Sequence, residues 1–392
     1  MKLKHVKLVK YAIAIGALVV LIAIFALLRL NENISEYFFA RGVSRYFVYV
    51  AGHVSDLFPF SVFGVLAIAA IIALAAIFVT IIVFLKKKRR TDALRIFEKT
   101  VVAALSVALI YIITAGGCYN RKPMPIDSYD GEQLTVEQTA ETINAYLADF
   151  NAVAATLSYD EKGKSVSPYT FGQLADVLID EYKRLDDDYF SSYTPRIKKA
   201  ITSKLMSYQG TCGITFQPLG EAVINYETPD CYLVLTAAHE LAHAKGVMRE
   251  RDANLLSYYL LITSEIPYLR YCGYMYSLGF LTSTLNFLDG EVYNETMKSY
   301  PVAARKDKQL ETDFWATKEG IVDKVSTFFN DIYLKLSGVS EGTGNYGDPS
   351  SIKQEEIIVD DGPVVVKRVY YSDTARVLIQ NGLNLIEKEN DK

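Results

Sequence analysis

Histidine is scarce in this 392-residue chain, with four in all. His5 and His53 fall in an apolar N-terminal third, so His239 and His243 are the histidines of everything after residue 118. A metal site built there with more than two protein ligands must be completed by a carboxylate. Cysteine is equally sparse: four residues are too few for a disulfide framework. Cys212 and Cys231 flank a predicted hairpin and can either pair in an oxidising exterior or stay free, and pairing would leave Cys272 over. No repeat of fixed period runs through the chain. Basic residues are few after residue 118, where 27 Lys and Arg face 40 Asp and Glu; before it, 14 face 5, and the two parts give the net −4. An acidic part without clustered Lys and Arg excludes nucleic acid as a partner, because neutralising phosphates requires such clusters.

What the chain has in plenty is apolar surface, 51 % of its residues. About 20 apolar residues suffice to cross the hydrocarbon core. Tyr11–Leu28 and Phe60–Leu85 meet that length, and Val101–Gly117 does so with the turn Leu94–Phe97 added. The first stretch is too long for the core of a cleaved signal peptide and lacks a clean small-x-small site, so it reads as a retained anchor. "TAGGC", ending at Cys118, resembles a lipoprotein box but follows the third span rather than the first. "MKLKHVKLVK" and "KKKRR" (86–90) are basic, whereas the loop 31–59 holds only Arg41 and Arg45. The positive-inside rule then puts the N-terminus and the 86–93 loop in the cytoplasm, and residues from about 119 onward outside it. The expected division is a three-span anchor, 1–118, and an extracytoplasmic domain, 119–392.

The second part is expected to be α+β and mostly helical. A polar linker with two prolines follows Tyr119. Thr135 and Gln138 spell a capping box ahead of a helix, and Ser167–Pro168 suggests the start of a second. "PRIKKAITSKLM" reads as a third, weaker helix. "GITFQPLGEAVINYE" is a hairpin signal, whose strand Ala222–Tyr226 is either core scaffold or an edge that receives an extended substrate. A helix closed by Gly246 comes next, then a helical stretch from Glu250 to about Leu288, broken near Pro267. Its Glu265, Pro267 and Arg270 mark a buried core helix rather than a fourth span. A helix over Lys308–Ser337, a Gly/Ser-rich loop, a hairpin turning at Asp361–Gly362 and a helix starting near Ser372 complete the reading.

The chemistry concentrates in "TAAHELAHAKGVMRERDANLL", 236–256. On a helix, His239 and His243 stand one turn apart on one face, within reach of one Zn2+. Glu240 is placed to act as general base on a metal-activated water and then as acid to the leaving amine. For the third ligand, Glu250 fits better than Asp252. Gly246 lets the chain reverse, Glu250 opens the next helix, and Asn254 lies one turn further on to orient a ligand. Asp252 remains the alternative. Glu265 is excluded, since fifteen residues of helix span about 22 Å. Arg249 and Arg251 read as surface partners of the neighbouring carboxylates. Tyr226, Tyr258 and Tyr259 are available oxyanion donors, none singled out among 28 tyrosines. The apolar stretch 231–241 is too short for an intramembrane protease.

HELAH followed by ERDAN resembles the HExxH…ExxA[DN] signature of zincin metallopeptidases with a glutamate ligand, a role that falls on Glu250, with Asn254 at the Asp/Asn position. The six-residue spacing between His243 and Glu250 is shorter than in most of them. Together with "RKP", "PLGEAVIN" and "NDIYLKLSGVSEGTGNYG", the string HExxHxxGxxRExxAN resembles the bacterial membrane proteins grouped as domain of unknown function 3810. The resemblance implies a membrane-anchored zinc metallopeptidase of the bacterial cell envelope, with the lipid bilayer and an unidentified peptide or protein as partners. Two rivals remain: a non-catalytic envelope protein with a structural or vestigial metal site, and a zinc amidohydrolase acting on a cell-envelope component.

Overall fold

The computed structural model describes residues 2–185, 188, 190, 192–359 and 362–391. The chain opens on α1 (Lys2–Leu28), passes through a π-helix (Ile34–Ser44) into α2 (Arg45–Ser55), and forms α3 (Val62–Lys86) and α4 (Arg90–Thr114). Lys10–Leu28, Val62–Lys86 and Arg90–Cys118 are long and apolar enough to cross a membrane. This is a membrane protein on that ground. The third span begins earlier than Val101. Asp92 pairs with Arg89 and Arg95 in its first turn, so the charged residues form the helix start rather than a separate loop.

One end of the three spans carries the short turn at 87–89. At the other end lie the segment 29–61 and the exit at Tyr119, and the rest of the chain packs there. Arg41 and Arg45 of that segment are held by Glu36 and Asp188. Arg121, just past the exit, pairs with buried Glu36 and donates to the Lys245 carbonyl. Glu221 makes the second joint. Its carboxylate is wholly buried, accepts from the backbone N–H groups of Val62 and Phe63 at 2.9 and 2.8 Å, and pairs with Lys198 at 3.1 Å. The free N–H groups that begin membrane helix α3 are thus satisfied by a charge from the following domain, which also suits the helix dipole.

Beyond an irregular linker come α5 (Val136–Ala154) and α6 (Phe171–Arg184). The capping box at Thr135 and Gln138 forms as expected. The N-cap of α6, however, is Thr170 rather than Ser167. Thr170 and Gln173 make a reciprocal capping box, while Ser167 bonds locally to Tyr169. The weak helix expected over 195–206 is corrected too. Ile197–Lys199 forms strand β1, and only Ser203–Tyr208 is helical (α7). Pairing with a buried strand outweighs modest helix propensity there. The hairpin appears as β2 (Gly213–Phe216) and β3 (Glu221–Ile224). The sheet order is β1-β3-β2, with β1 parallel and β2 antiparallel to β3.

Helix α8 (Asp230–Ala244) packs on this sheet and against α9 (Glu250–Ile262) and α10 (Pro267–Ser277). The buried face from Val234 to Ala244 makes α8 the spine of the main core. Pro267 starts α10 at its first turn, where a missing N–H costs nothing. Then follow α11 (Gly279–Leu288), α12 (Gly290–Thr296), α13 (Val302–Ala316) and α14 (Ile321–Leu336). The single helix expected over 308–337 is therefore two, interrupted at 317–320, where Gly320 is a poor helix former. Strands β4 (Ser351–Val359) and β5 (Gly362–Tyr370) pair as a separate hairpin; its expected turn at Asp361 lies outside the described residues. Helix α15 (Asp373–Asn390), capped by Ser372, ends the fold. All four cysteines are free. Cys212 faces the Tyr232 hydroxyl and Cys231 faces Ser165, so the two thiols occupy different contacts and the Cys212–Cys231 pairing is not made.

Candidate metal centre

The sequence HAKGVMRE reverses direction within eight residues through a helix-ending motif. Gly246, at φ 78°, occupies the left-handed conformation that costs a glycine little. Its N–H donates to the His243 carbonyl, and the Val247 N–H donates to that of Ala242. This pair of bonds is the Schellman closure. The reversal lays the first turn of α9 against the last turns of α8.

His239, His243 and Glu250 meet there, all buried, with one ligand atom from each within 4.8 Å of the others. Glu250 Oε2 stands 3.1 Å from His239 Nε2 and 3.3 Å from His243 Nε2. Donors about 2.0–2.2 Å from a tetrahedral Zn2+ are separated from one another by roughly 3.3–3.5 Å, so the spacing suits that ion.

The other ring nitrogens are taken. His239 Nδ1 donates to Asn254 Oδ1 at 2.8 Å, and His243 Nδ1 donates to the Val247 carbonyl at 2.7 Å. Each imidazole in its neutral form therefore turns an Nε2 lone pair toward a carboxylate oxygen. Three acceptors with no donor among them repel one another unless positive charge lies between them. Titration reflects the same demand. Burial alone would lower the His243 pKa, but the Glu250 charge and hydrogen bond raise it to about 9. Burial raises the Glu250 pKa less than the two imidazoles lower it, and it falls below the usual carboxylate range.

Glu240 follows His239 on α8 and is also buried. Burial pushes its pKa up, against the lowering influence of His243, His239 and Thr215. Its Oε2 accepts from Thr215 Oγ1 at 2.8 Å, and the same hydroxyl lies 2.7 Å from the Glu240 carbonyl. A Cβ at Gly213 would stand 2.5 Å from Glu240 Cγ, so the strand beside Glu240 needs glycine at that position. A carboxyl group with a raised pKa beside such a cluster is equipped to take up and return a proton.

Asp252 lies outside this group. Arg249 holds it at 2.6 Å, with Arg251 at 3.6 Å, so both arginines serve as its partners. Among the tyrosines, Tyr226 lies under Lys199 and Tyr258 packs on Phe280, and no hydrogen bond joins Tyr226, Tyr258 or Tyr259 to the site. Strand β3, which includes Ala222, is paired on both sides and cannot receive another strand. The open edge beside Glu240 is that of β2.

Three contributors escape sequence reasoning. Thr215 and Gly213 act through a strand whose register decides which residues face α8. The third is Tyr346, in a short 3-10 turn (Gly342–Tyr346). Its carbonyl accepts from Asn254 Nδ2 at 2.9 Å, which fixes the amide that holds His239. Burial of its hydroxyl end, with the nearby Glu250 charge, raises the phenol's pKa, while the residue as a whole is 43 % exposed. Tyr346 thus stands at the mouth of the site. Its fragment "GTGNYG" was visible in the sequence, but nothing local tied it to residues nearly a hundred positions earlier.

A family model described as "Protein of unknown function (DUF3810)" matches residues 39–349. No curated protein and no solved structure matches the chain.

Proposed function

We propose that this chain, which belongs to the DUF3810 family, is a membrane-anchored zinc-dependent metallopeptidase of zincin type. Its place is the bacterial cell envelope, with the N-terminus cytoplasmic and the site outside. The observation that carries this reading is the convergence of three side chains able to ligate one ion. Both Nδ1 atoms are engaged, both Nε2 atoms face Glu250, and Glu240 is buried alongside. His239, His243 and Glu250 would hold the ion, and Asn254 with the Val247 carbonyl would keep the imidazoles in the binding tautomer. Zinc, when bound, acidifies water and polarises a scissile carbonyl. Glu240 takes the proton of the attacking water on its carboxylate and returns it to the leaving amine. Thr215 orients that carboxylate through its 2.8 Å bond. The open edge of β2 offers backbone groups to an extended peptide and aligns it along α8.

The test uses full-length protein in lipid nanodiscs, loaded with zinc and offered a peptide library read by mass spectrometry. The wild type is expected to bind one zinc and cleave a subset of peptides. Glu240→Gln is expected to keep the zinc and lose cleavage. Unchanged cleavage in that variant overturns the role of Glu240, and failure of the wild type to bind zinc overturns the whole reading.

A further inference from the structure

Helix α14 (Ile321–Leu336) has one buried residue with an aliphatic side chain, Leu334. Ile321, Val322, Val325, Phe328, Phe329, Ile332 and Leu336 are all exposed, with Ile321 at 81 %, Phe328 at 62 %, Phe329 at 64 % and Leu336 at 79 %. At 100° per residue they fill one continuous arc of about 120°, and Lys324 and Lys335 border one side of it. The opposite arc faces the protein. It holds Leu334, Asn330, which donates to the Tyr346 hydroxyl at 3.2 Å, and Asp331, which accepts from the Thr343 N–H at 3.0 Å. An exposed apolar face of this size calls for an occupant.

Its position identifies one. The end of α14 touches the end of membrane span α4. Tyr333 meets Tyr111 of the last turns of α4 at 2.9 Å and Tyr119 at 3.3 Å, hydroxyl to hydroxyl. Ser337, one residue past α14, meets Tyr111 at 3.0 Å. Tyrosine hydroxyls gathered where a span ends mark the level of the polar–apolar boundary of a bilayer. We infer that α14 lies flat in the membrane interface on the side of the candidate site, with its apolar arc among the acyl chains and Lys324 reaching toward headgroups. Lys335 pairs with Asp331 at 2.7 Å. A helix of this length, with strong segregation of its faces, is a typical interfacial element. Because the inner arc of α14 holds the 342–346 turn, and that turn holds Asn254, the site then opens at the level of the bilayer surface. This inference rests on the exposed arc and the tyrosine junction, and not on zinc or peptidase activity.

The test reads tryptophan fluorescence in proteoliposomes of the full chain. The single tryptophan, Trp315, is first replaced by phenylalanine. Val325→Trp, Phe328→Trp, Ile332→Trp and, on the other arc, Thr327→Trp are then each compared in plain lipid and in lipid brominated near the headgroup or deep in the chain. The expected result is strong loss of emission at 325, 328 and 332, greater with shallow than with deep bromines, and little loss at 327. Equal, weak quenching at all four positions overturns the inference. So does an unquenched but blue-shifted emission from Phe328→Trp, because a second copy or another protein then covers the face. The melting temperature and size-exclusion profile of each variant in detergent verify folding and are expected to match those of the tryptophan-free parent.

Discussion

Replacing Asn254 by alanine isolates the positioning of one imidazole from the ligands themselves. The side chain touches no other member of the metal group; it accepts from His239 Nδ1 at 2.8 Å and is fixed by the Tyr346 carbonyl at 2.9 Å. Without it, His239 is free to place its proton on either nitrogen, and one tautomer cannot bind. Choosing between two equal tautomers costs RT ln 2, about 0.4 kcal/mol. The lost bond adds more. A neutral hydrogen bond contributes about 0.5–1.5 kcal/mol net, and it strengthens up to roughly twofold when its donor ring bears charge, as it does on a cation. The affinity difference arises from that increment, about 1 kcal/mol, plus the tautomer cost. The total, about 1.4 kcal/mol, corresponds to a roughly tenfold weaker zinc affinity at 1.4 kcal/mol per decade, at the lower end of the range found for such orienting partners. The assay is competition for zinc against a chromogenic chelator with full-length protein in detergent. Asn254→Asp, which still accepts the His239 proton, should recover most of the affinity while weakening the contact to the Tyr346 carbonyl. An Asn254→Ala affinity within twofold of wild type refutes the reasoning, because His239 would then be oriented by something else.

Other outcomes follow from the same geometry. Glu250→Gln should weaken zinc far more than Asn254→Ala does, whereas Asp252→Asn should change it less than threefold, since Arg249 and not the metal group holds Asp252; chelator competition on both variants decides. In zinc-free protein the raised pKa of His243 contributes stability that is fully present below its ordinary 6.5 and disappears as pH climbs through about 9. Burial holds the Lys245 pKa down at about 7, which favours the fold as pH rises through the same range. The quantity to read is therefore the melting-temperature difference between chelator-treated wild type and Glu250→Gln, which should shrink from pH 6 to pH 10 as the His243 contribution is lost. Glu221→Gln leaves Lys198 buried beside a neutral group, which typically costs about 3–5 kcal/mol; adding Lys198→Met should restore part of the lost melting temperature, and no restoration would refute the pairing as the source.

Much of the fold and site was legible because it is local. Span length, the capping box at Thr135, the Gly246 stop and the hairpin at 213–224 are each decided within a few residues. The HExxH spacing fixes its own face by helical period, and histidine scarcity directed attention to carboxylates nearby. What escaped depends on distant partners. The 195–206 segment became part strand because β3 was there to pair with Ile197. Ser167 lost the cap to Thr170 through a competition that sequence alone does not rank. The strand named as a possible substrate edge is central, because β1 arrived on its far side. Thr215 and Tyr346 reach the site only by register and by a turn returning from residue 346.

The bond between Glu221 and the start of α3 has a consequence for the order of assembly. Val62 waits for a partner 159 residues further along the chain, so during synthesis the second span enters the bilayer before its terminating carboxylate exists. Strands β1 and β3 bring Lys198 and Glu221 to that helix together, so the sheet that supports α8 is tied directly to the start of the span. A chain cut to begin after residue 118 would carry Glu221 and Lys198 with no helix to receive them, so the part that holds His239 and His243 and the apolar helices before it stand as one object.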